Sequence, residues 1–209
     1  SVRELGSGGM ARIFLARDLY LGKEVALKLF RKPPAGKEEL EQVQKEFAVL
    51  AGMEHPGVAR AHDFGYLGDR PYFTSDFIPG VPLSARGPAG GPELLSLAVD
   101  LAGALAFLHR SGLVHLDVKA SNVILTRSGG QTRAVLIDFG LVRRGSSLPP
   151  EAKIRGSLPY MAPEYFRGGS LGPWTDVYAL GVTLYRAATG AFPRPGASLE
   201  RAARRQLGD

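Results

Sequence analysis

The sequence predicts an α+β fold with two lobes: a small strand-rich N-terminal lobe with one key helix, and a larger, mainly helical C-terminal lobe. The two-residue alternation of apolar and polar side chains that is typical of strands dominates up to residue 78, and helical periodicity dominates from residue 93. Residues 79–92 are rich in Gly, Pro and Ala, as connectors are. We therefore divide the chain into residues 1–78 and 79–209.

Four strands and one helix are predicted in the N-terminal lobe. Residues 12–17 and 23–30 alternate in polarity, with Gly22 as the hairpin turn between them, and residues 58–64 and 72–78 are further strand candidates. The helix covers residues 40–50, because Leu40, Val43, Phe47 and Leu50 form one apolar stripe.

Two long helices and a hairpin are predicted in the C-terminal lobe. Residues 93–110 place their leucines on one side, and Gly112 follows as a C-terminal cap. Residues 122–126 and 134–137 form a hairpin around the turn at 128–130. Residues 176–189 are apolar on nearly all sides, which predicts a buried central helix that ends at Gly190.

The composition is that of a folded chain and excludes several kinds of site. The 209 residues are 44% hydrophobic and 22% charged, which is too apolar for a disordered segment. The sequence has no cysteine, which excludes disulfides and thiolate-bound metals, and its four scattered histidines disfavour a site built from histidine alone. The balance of 26 basic and 20 acidic residues, 26 − 20 = +6, favours phosphate-bearing or acidic partners without identifying one.

No stretch reaches the roughly 18 uninterrupted apolar residues of a membrane span, and residues 1–9 lack the pattern of a secretory signal. We therefore expect no membrane segment in this chain and a cytoplasmic location. The first residue is Ser1 rather than methionine, and the last segment resembles an interrupted helix. These features suggest a piece of a longer protein, and a membrane anchor elsewhere in that protein stays open.

A glycine-rich turn precedes the first predicted strand. Gly6, Gly8 and Gly9 lack Cβ atoms, so backbone N–H groups there could approach phosphate oxygens closely. The following residues are strand-like and contain no Gly-Lys-Ser/Thr, which argues against a dinucleotide-binding crossover or a P-loop. An ordinary hairpin turn remains the alternative for this motif taken alone.

The next strand carries a lysine beside a small residue. By alternation, Lys28 shares one face with Ala26, which leaves room for a flat ligand, while Val25 and Leu29 lie on the other face. Glu46 lies beside the apolar stripe of the following helix, where it could meet a positive charge. An exposed lysine and a solvated glutamate are the alternatives.

Two polar motifs follow in the C-terminal lobe. Asp117, Lys119 and Asn122 lie on a predicted loop between a helix and a strand, a set that can orient a hydroxyl, neutralise a phosphate and hold a metal. Asp138 closes an apolar strand and is followed by Gly140 two residues later, a placement that suits an oxygen ligand for magnesium. Turn or cap residues are the alternative for each aspartate alone.

The four motifs occur together and in one order, and in this the sequence resembles the eukaryotic-type serine/threonine protein kinases over nearly its whole length. The amino-acid sequence of residues 8–10 and 14–18 is most similar to that of bacterial members of the family. The resemblance implies a two-lobed protein-kinase-like fold that is truncated at its C-terminal end, and ATP with Mg²⁺, or alternatively Mn²⁺, as cofactors.

The resemblance also implies a role for each motif residue. Asp117 matches the catalytic base, Lys119 the lysine found in serine/threonine members, Lys28 the phosphate-anchoring lysine and Glu46 its partner. Asn122 and Asp138 match the metal ligands. The residues matching the nucleotide site are Gly6, Ser7, Gly8, Gly9, Ala11, Ile13, Ala26, Lys28 and the hinge residues Asp76 and Ile78, with Ser75 as gatekeeper.

Residues 156–164 resemble the end of the activation segment, and Asp176 resembles the buried aspartate that steadies the catalytic loop. Leu116 stands where many relatives carry an arginine that meets a phosphate on the activation loop. We therefore expect activity to depend little on phosphorylation of that loop. The family's helices beyond residues 198–207 are missing, so we also expect the isolated chain to be unstable.

The function expected from this resemblance is ATP-dependent phosphorylation of serine and threonine hydroxyls on protein substrates. A pseudokinase that binds nucleotide without chemistry is one alternative, although five retained functional residues argue against it. A small-molecule phosphotransferase is another, although Ala162, Pro163 and Glu164 resemble part of a peptide-docking surface. No nucleic-acid partner is expected, because no groove-reading motif accompanies the positive charge. The oligomeric state stays open.

Overall fold

The structure, a computed structural model, describes residues 2–7, 11–20, 22–34, 36–139, 142–145 and 157–193, without the side chains of residues 38, 39, 42, 45, 46, 49 and 50. The chain divides into two compact units, Ser1–Pro79 and Gly80–Asp209. The boundary expected after residue 78 falls one residue before this division.

Unit 1 contains a five-stranded antiparallel sheet with the strand order β1-β2-β3-β5-β4. The strands are β1 Arg3–Ser7, β2 Ala11–Arg17, β3 Glu24–Phe30, β4 Ala61–Leu67 and β5 Arg70–Asp76. The predictions of β2 and β3 are confirmed to within one residue, whereas β1 was not predicted. Strand β4 begins later than expected because Val58 belongs to a turn, in which its N–H donates to the His55 carbonyl at 3.0 Å.

Helix α1, Lys37–Ala51, covers the sheet through the predicted apolar stripe. Val43 is buried, and the Phe47 ring lies 5.6 Å from that of Phe64 and 6.3 Å from that of Phe73. Val25 and Leu29 of β3, which alternate with Lys28 along the strand, are buried as well. Burial of the stripe explains why this segment is helical despite its many charged residues.

Unit 2 combines strands with two long helices and one short helix. Its elements are β6 Val81–Pro82, α2 Gly91–Arg110, β7 Leu113–Val114, β8 Val123–Ser128, β9 Gln131–Leu136, β10 Arg143–Arg144, α3 Pro163–Arg167 and α4 Pro173–Thr189. Strands β6, β8 and β9 form one sheet, and β7 pairs with β10. The strand-rich N-terminal part and helical C-terminal part confirm the predicted α+β class.

The predicted connector is more ordered than its composition suggests. Strand β6 pairs with β8, and the Ala89 N–H donates to the Ala187 carbonyl at 2.7 Å, which ties the connector to the end of α4. The predicted β8–β9 hairpin is confirmed. Its turn places Gly129 and Gly130 at φ of 57° and 80°, a left-handed pair that suits a two-residue hairpin.

Within the described part of the chain, α2 alone is long and apolar enough, by length and composition, to cross a membrane. Core helices pass the same test, and one face of α2 is packed inside unit 2 through Leu97, Leu101 and Leu108. On that helix the buried Asp100 accepts a 2.9 Å bond from the Ala134 N–H and lies 3.0 Å from the Arg133 guanidinium. These contacts fix α2 against β9.

Helix α4 is placed as predicted, and Gly190 ends it in the left-handed region at φ 74°. The expectation of burial on nearly all sides is wrong for the described residues. Asp176 and Thr183 are fully buried, but Val177 is 58% and Tyr185 47% exposed. The helix is thus buried along one stripe, and the apolar residues outside it face outward.

Candidate active site

A buried carboxylate in the first turn of α4 anchors the predicted catalytic loop. The Asp176 side chain is fully buried and accepts bonds of 2.8 Å from the backbone N–H groups of His115 and Leu116. The His109 Nε2 atom, from the last turn of α2, lies 2.8 Å from the same carboxylate. A buried charge is tolerated only with such partners, so α2, α4 and the start of the loop are held together.

The anchored loop has a strained residue directly before the candidate base. Leu116 has φ of 65°, a left-handed conformation that is unfavourable for a residue with a Cβ atom. Its N–H is bound by Asp176, and the Tyr165 hydroxyl lies 3.5 Å from its carbonyl oxygen. Contacts on both of its backbone polar groups hold Leu116 in this conformation.

The Asp117 carboxylate is fixed by the two other residues of its motif. The Lys119 Nζ atom donates to Asp117 Oδ2 at 2.6 Å, and the Asn122 side-chain amide donates to the same oxygen at 3.1 Å and to the Asp117 carbonyl at 3.0 Å. Within the part of the chain described, both side-chain bonds fall on Oδ2. Neither of these two side chains donates to oxygen Oδ1.

The two candidate metal ligands lie on adjoining segments. The Ile137 N–H donates to the Asn122 carbonyl at 2.8 Å, which places Asp138 beside the catalytic loop. Because the Asn122 amide nitrogen faces Asp117, its side-chain oxygen is the end left for a cation. Asp138 is an exposed residue at φ 63°.

The described residues contain no group of three or more His, Cys, Asp or Glu side chains that could hold a metal ion by themselves. Two oxygen ligands fit a hard divalent cation whose coordination is completed by phosphate oxygens and water. The residues present are thus compatible with a nucleotide-bound metal.

His115 links the two loops. Its Nδ1 atom accepts the Asp117 N–H at 3.2 Å, and its ring lies 4.9 Å from that of Phe139, the residue after Asp138. Burial lowers the pKa of His115, although the carboxylates of Asp176, Asp117 and Asp138 oppose this shift. A neutral ring with Nδ1 as acceptor carries its proton on Nε2, which has no hydrogen-bond partner among the described residues.

In unit 1, the structure places the lysine motif at the middle of the sheet. Lys28 pairs in register with Ile13 of β2 and with Phe73 of β5, and its Nζ atom lies 5.4 Å from the centre of the Phe73 ring. Ala26 is in register with Ser75. The Glu46 side chain lies outside the described residues, but its helix contacts the same Phe73 ring through Phe47.

The first residues of the glycine-rich motif, Gly6 and Ser7, end strand β1, which pairs with β2. Gly6 pairs with Ile13 and Ser7 with Arg12, and the Ser7 hydroxyl accepts a bond from Arg31. Ala11 opens β2 and is buried. Gly8 and Gly9, which were also predicted to bind the nucleotide, lie outside the described residues.

The predicted hinge begins where β5 ends. The Asp76 N–H donates to the Arg60 carbonyl at 2.9 Å, and its carboxylate accepts the Arg60 N–H at 3.1 Å. His62 Nε2 lies 2.8 Å from the same carboxylate. Since the Asp76 N–H is taken, a bond from residue 76 to adenine would use its carbonyl. Ile78 follows β5 and is half-buried.

Sequence reasoning missed three side chains around the loop. His109 shows only as a basic residue at a helix end, Tyr165 as one more aromatic residue, and Arg186 as a polar position in an apolar helix. Tyr165 lines one cavity with Asp117 and Ser157. Among the described residues, the Ser157 hydroxyl does not donate a hydrogen bond to Asp117.

Comparisons with known proteins show the family of this chain. The family described as "protein kinase domain" matches residues 1–208, so the chain belongs to this family. It is 31% identical over 94% of its length to the serine/threonine-protein kinase PrkC of Bacillus subtilis, covering 31% of that protein. It is 34% identical over 93% of its length to PknB of Mycobacterium tuberculosis, covering 33% of that protein.

A third relative, the DNA damage-responsive serine/threonine-protein kinase RqkA of Deinococcus radiodurans, is 36% identical over 93% of the chain and 30% of its own length. The chain therefore spans a third or less of each of these relatives. The resemblance drawn from the motifs, including its bacterial character, is confirmed. Members of this family use ATP and a divalent metal as a class.

Proposed function

We propose that this chain is the catalytic domain of a serine/threonine protein kinase, which transfers the γ-phosphoryl group of ATP to hydroxyl groups on proteins in the cytoplasm. One observation carries the proposal. The Asp117 carboxylate is fixed by Lys119 and Asn122 on a loop anchored by the buried Asp176, and its second oxygen has no side-chain partner in the part of the chain that the structure describes. A binding protein without chemistry has no need for this arrangement.

The nucleotide contacts proposed in unit 1 follow the motif positions. The β1–β2 hairpin would cover the phosphates, because backbone N–H groups at such a turn bind phosphate oxygens. Lys28 would neutralise the α- and β-phosphates, with Glu46 as its partner. The residues proposed to contact ATP are Gly6, Ser7, Gly8, Gly9, Ala11, Ile13, Ala26, Lys28, Asp76 and Ile78.

We propose Mg²⁺ as the metal, with Mn²⁺ as a substitute, held by Asp138 and the Asn122 side-chain oxygen. Mg²⁺ is typically bound through one or two protein oxygens together with substrate phosphates, which matches the two ligands present. When bound, the ion neutralises charge on the β- and γ-phosphates.

The chemistry needs little covalent participation by the protein. Asp117 Oδ1 accepts a hydrogen bond from the substrate hydroxyl and directs its oxygen at the γ-phosphorus. The new oxygen–phosphorus bond forms as the bond to the bridging oxygen breaks, ADP leaves, and the hydroxyl proton passes to Asp117. Lys119, held 2.6 Å from Asp117, stabilises the charge that spreads over the transferred group.

The test is transfer of labelled γ-phosphate from ATP and Mg²⁺ to protein substrates and to the chain itself. We expect label on serine or threonine, and we expect Asp138→Asn to lower transfer by at least about 10²–10³-fold, the range for losing one group that stabilises transition-state charge. Asp69→Asn, the same substitution in the exposed β4–β5 turn, is the matched control and should retain full activity.

A purified protein that unfolds cooperatively and binds ATP, yet transfers no label to any substrate, would contradict the proposal and favour a pseudokinase. Full activity of Asp138→Asn would contradict the assignment of Asp138 as a metal ligand. The two results are independent of each other.

A further inference from the structure

Arg186, in the last turn of α4, is a half-buried cation without an acidic partner among the described residues. Its Nη1 atom donates to the Tyr160 hydroxyl at 2.8 Å, and its guanidinium lies 4.6 Å from the centre of the Phe192 ring. The rings of Tyr160 and Phe192 meet edge to face at 5.2 Å. Among the residues that the structure describes, no carboxylate lies within 4.0 Å of this guanidinium.

These contacts orient the guanidinium but do not neutralise it. A guanidinium has five N–H donors in a planar fork, and one of them is used by Tyr160. The aromatic face and the negative end of α4 stabilise the cation only in part. A pre-oriented fork of this kind is suited to a carboxylate, which can accept two parallel hydrogen bonds.

The position of Arg186 connects it with the catalytic loop. Tyr160 lines the same cavity as Asp117, together with Ser157 and Met161. Ser157, Tyr160 and Met161 belong to the residues that resemble the end of an activation segment, just before Ala162. Arg186 therefore supports the wall of the cavity in which the proposed base lies.

We propose that Arg186 selects acidic substrates by binding a Glu or Asp side chain that lies a few residues from the acceptor serine or threonine. This inference rests on the proposed kinase function and assigns a substrate class to the same site. It agrees in sign with the net charge of +6, which favours acidic partners.

The experiment uses the purified protein and a set of serine peptides that are identical except for one position. Glu, Gln, Lys or phosphoserine is placed in turn at each position on either side of the acceptor. We expect kcat/KM for the Glu peptide to exceed that of its Gln twin by about tenfold at one position, which equals about 1.4 kcal/mol. The peptide with Lys at that position should have the lowest kcat/KM of the set.

Three variants connect this preference with the residue. Arg186→Gln should bring the Glu-to-Gln ratio close to one by raising KM for the Glu peptide, with little change for the Gln peptide. Arg186→Lys should keep part of the preference, because it retains the charge without the fork. Arg127→Gln is the matched control, since Arg127 is exposed in the β8–β9 hairpin and its loss should leave the ratio unchanged.

A ratio near one in the wild-type protein, or an unchanged ratio in Arg186→Gln, would overturn the inference. So would an equal loss of kcat/KM on all peptides with a lower melting temperature, which would show a structural role. A preference for phosphoserine without one for Glu would overturn the carboxylate assignment. Failure of the proposed kinase function would be seen separately, because then no peptide would receive label in a manner that depends on Asp138.

Discussion

The catalytic loop of unit 2 and the glycine-rich hairpin of unit 1 carry predicted functional residues on very different supports. The loop is held by Asp176, a fully buried carboxylate with 2.8 Å bonds to two backbone N–H groups. The hairpin carries an exposed ion pair between Arg12 and Glu4, whose side chains are 43% and 37% exposed. Hydrogen bonding to Arg12 lowers the pKa of Glu4.

The difference separates two tasks. A loop that orients a nucleophile must keep one geometry, and a buried charge with several partners enforces it, because any other arrangement leaves the charge unpaired. A hairpin that covers phosphates needs only a stable strand pairing on either side of its turn. Loss of the buried anchor should therefore reduce stability and activity together, whereas substitution of a charged residue of the unit 1 sheet that is not fully buried should leave stability close to that of the wild type.

The largest effect is expected at the anchor of the loop. Asp176→Ala removes the acceptor of the His115 and Leu116 N–H groups and of His109, and leaves these donors buried. We expect the free energy of unfolding to fall by about 3–5 kcal/mol, with loss of activity. Chemical denaturation followed by fluorescence measures this change.

Glu4→Ala, which removes a carboxylate from the exposed ion pair of the hairpin, is the matched comparison. It should leave the denaturation midpoint unchanged. Equal destabilisation by the two substitutions would contradict the distinction between the two regions.

A smaller effect is expected from Lys28 in the unit 1 sheet. It should be seen in the activity and not in the free energy of unfolding. Lys28→Met keeps the apolar stem of the side chain beside Phe73 but removes its charge. We expect kcat/KM for ATP to fall by about 10²–10³-fold, with unfolding free energy within about 0.5 kcal/mol of wild type. Lys32→Met, an exposed position just after β3, is the control and should retain activity.

The same comparison explains what the sequence could predict. Strands β2 and β3, helices α1, α2 and α4 and the β8–β9 hairpin have strong local signals, namely periodicity and turn glycines, and they lie close to their expected positions. Strand β1 contains Gly6, is followed by two further glycines and is mostly exposed, so it has no apolar pattern to detect. Its structure depends on pairing with β2.

The site was predictable in its motif residues and in Asp176, but not in the other side chains that support the loop. Asp117, Lys119 and Asn122 are close in sequence, and the structure brings them into one hydrogen-bonded set. His109 contacts the anchor Asp176 across 67 residues of sequence, and Tyr165 contacts Leu116 of the loop across 49 residues. Such contacts depend on tertiary packing and have no local pattern.

A modest effect is expected from Tyr165, which touches the loop through its hydroxyl alone. Burial, together with the charges of Asp176, Asp117 and Glu164, raises the pKa of this phenol above its ordinary value of 10.0. The folded chain therefore holds this proton above pH 10 while the unfolded chain releases it, so stability falls as the pH rises above about 10. Tyr165→Phe should remove this contribution.

Denaturation of both proteins between neutral pH and about pH 11 measures the difference in slope. At neutral pH we expect Tyr165→Phe to lower kcat by about two- to threefold, because the lost 3.5 Å bond to the Leu116 carbonyl is a weak one. Parallel stability curves above pH 10 would show that the phenol ionises equally in both states.

The smallest effect is expected from removing phosphate. Leu116 cannot pair with a phosphorylated activation loop, as an arginine at this position would, and its backbone is already held by Asp176 and Tyr165. Phosphatase treatment, verified by mass spectrometry, should therefore change the rate of transfer by less than about twofold, since the contacts that orient Asp117 remain. A large loss that is restored by autophosphorylation would show that the loop contacts are insufficient without the phosphate, and that another cation has taken the place of the missing arginine.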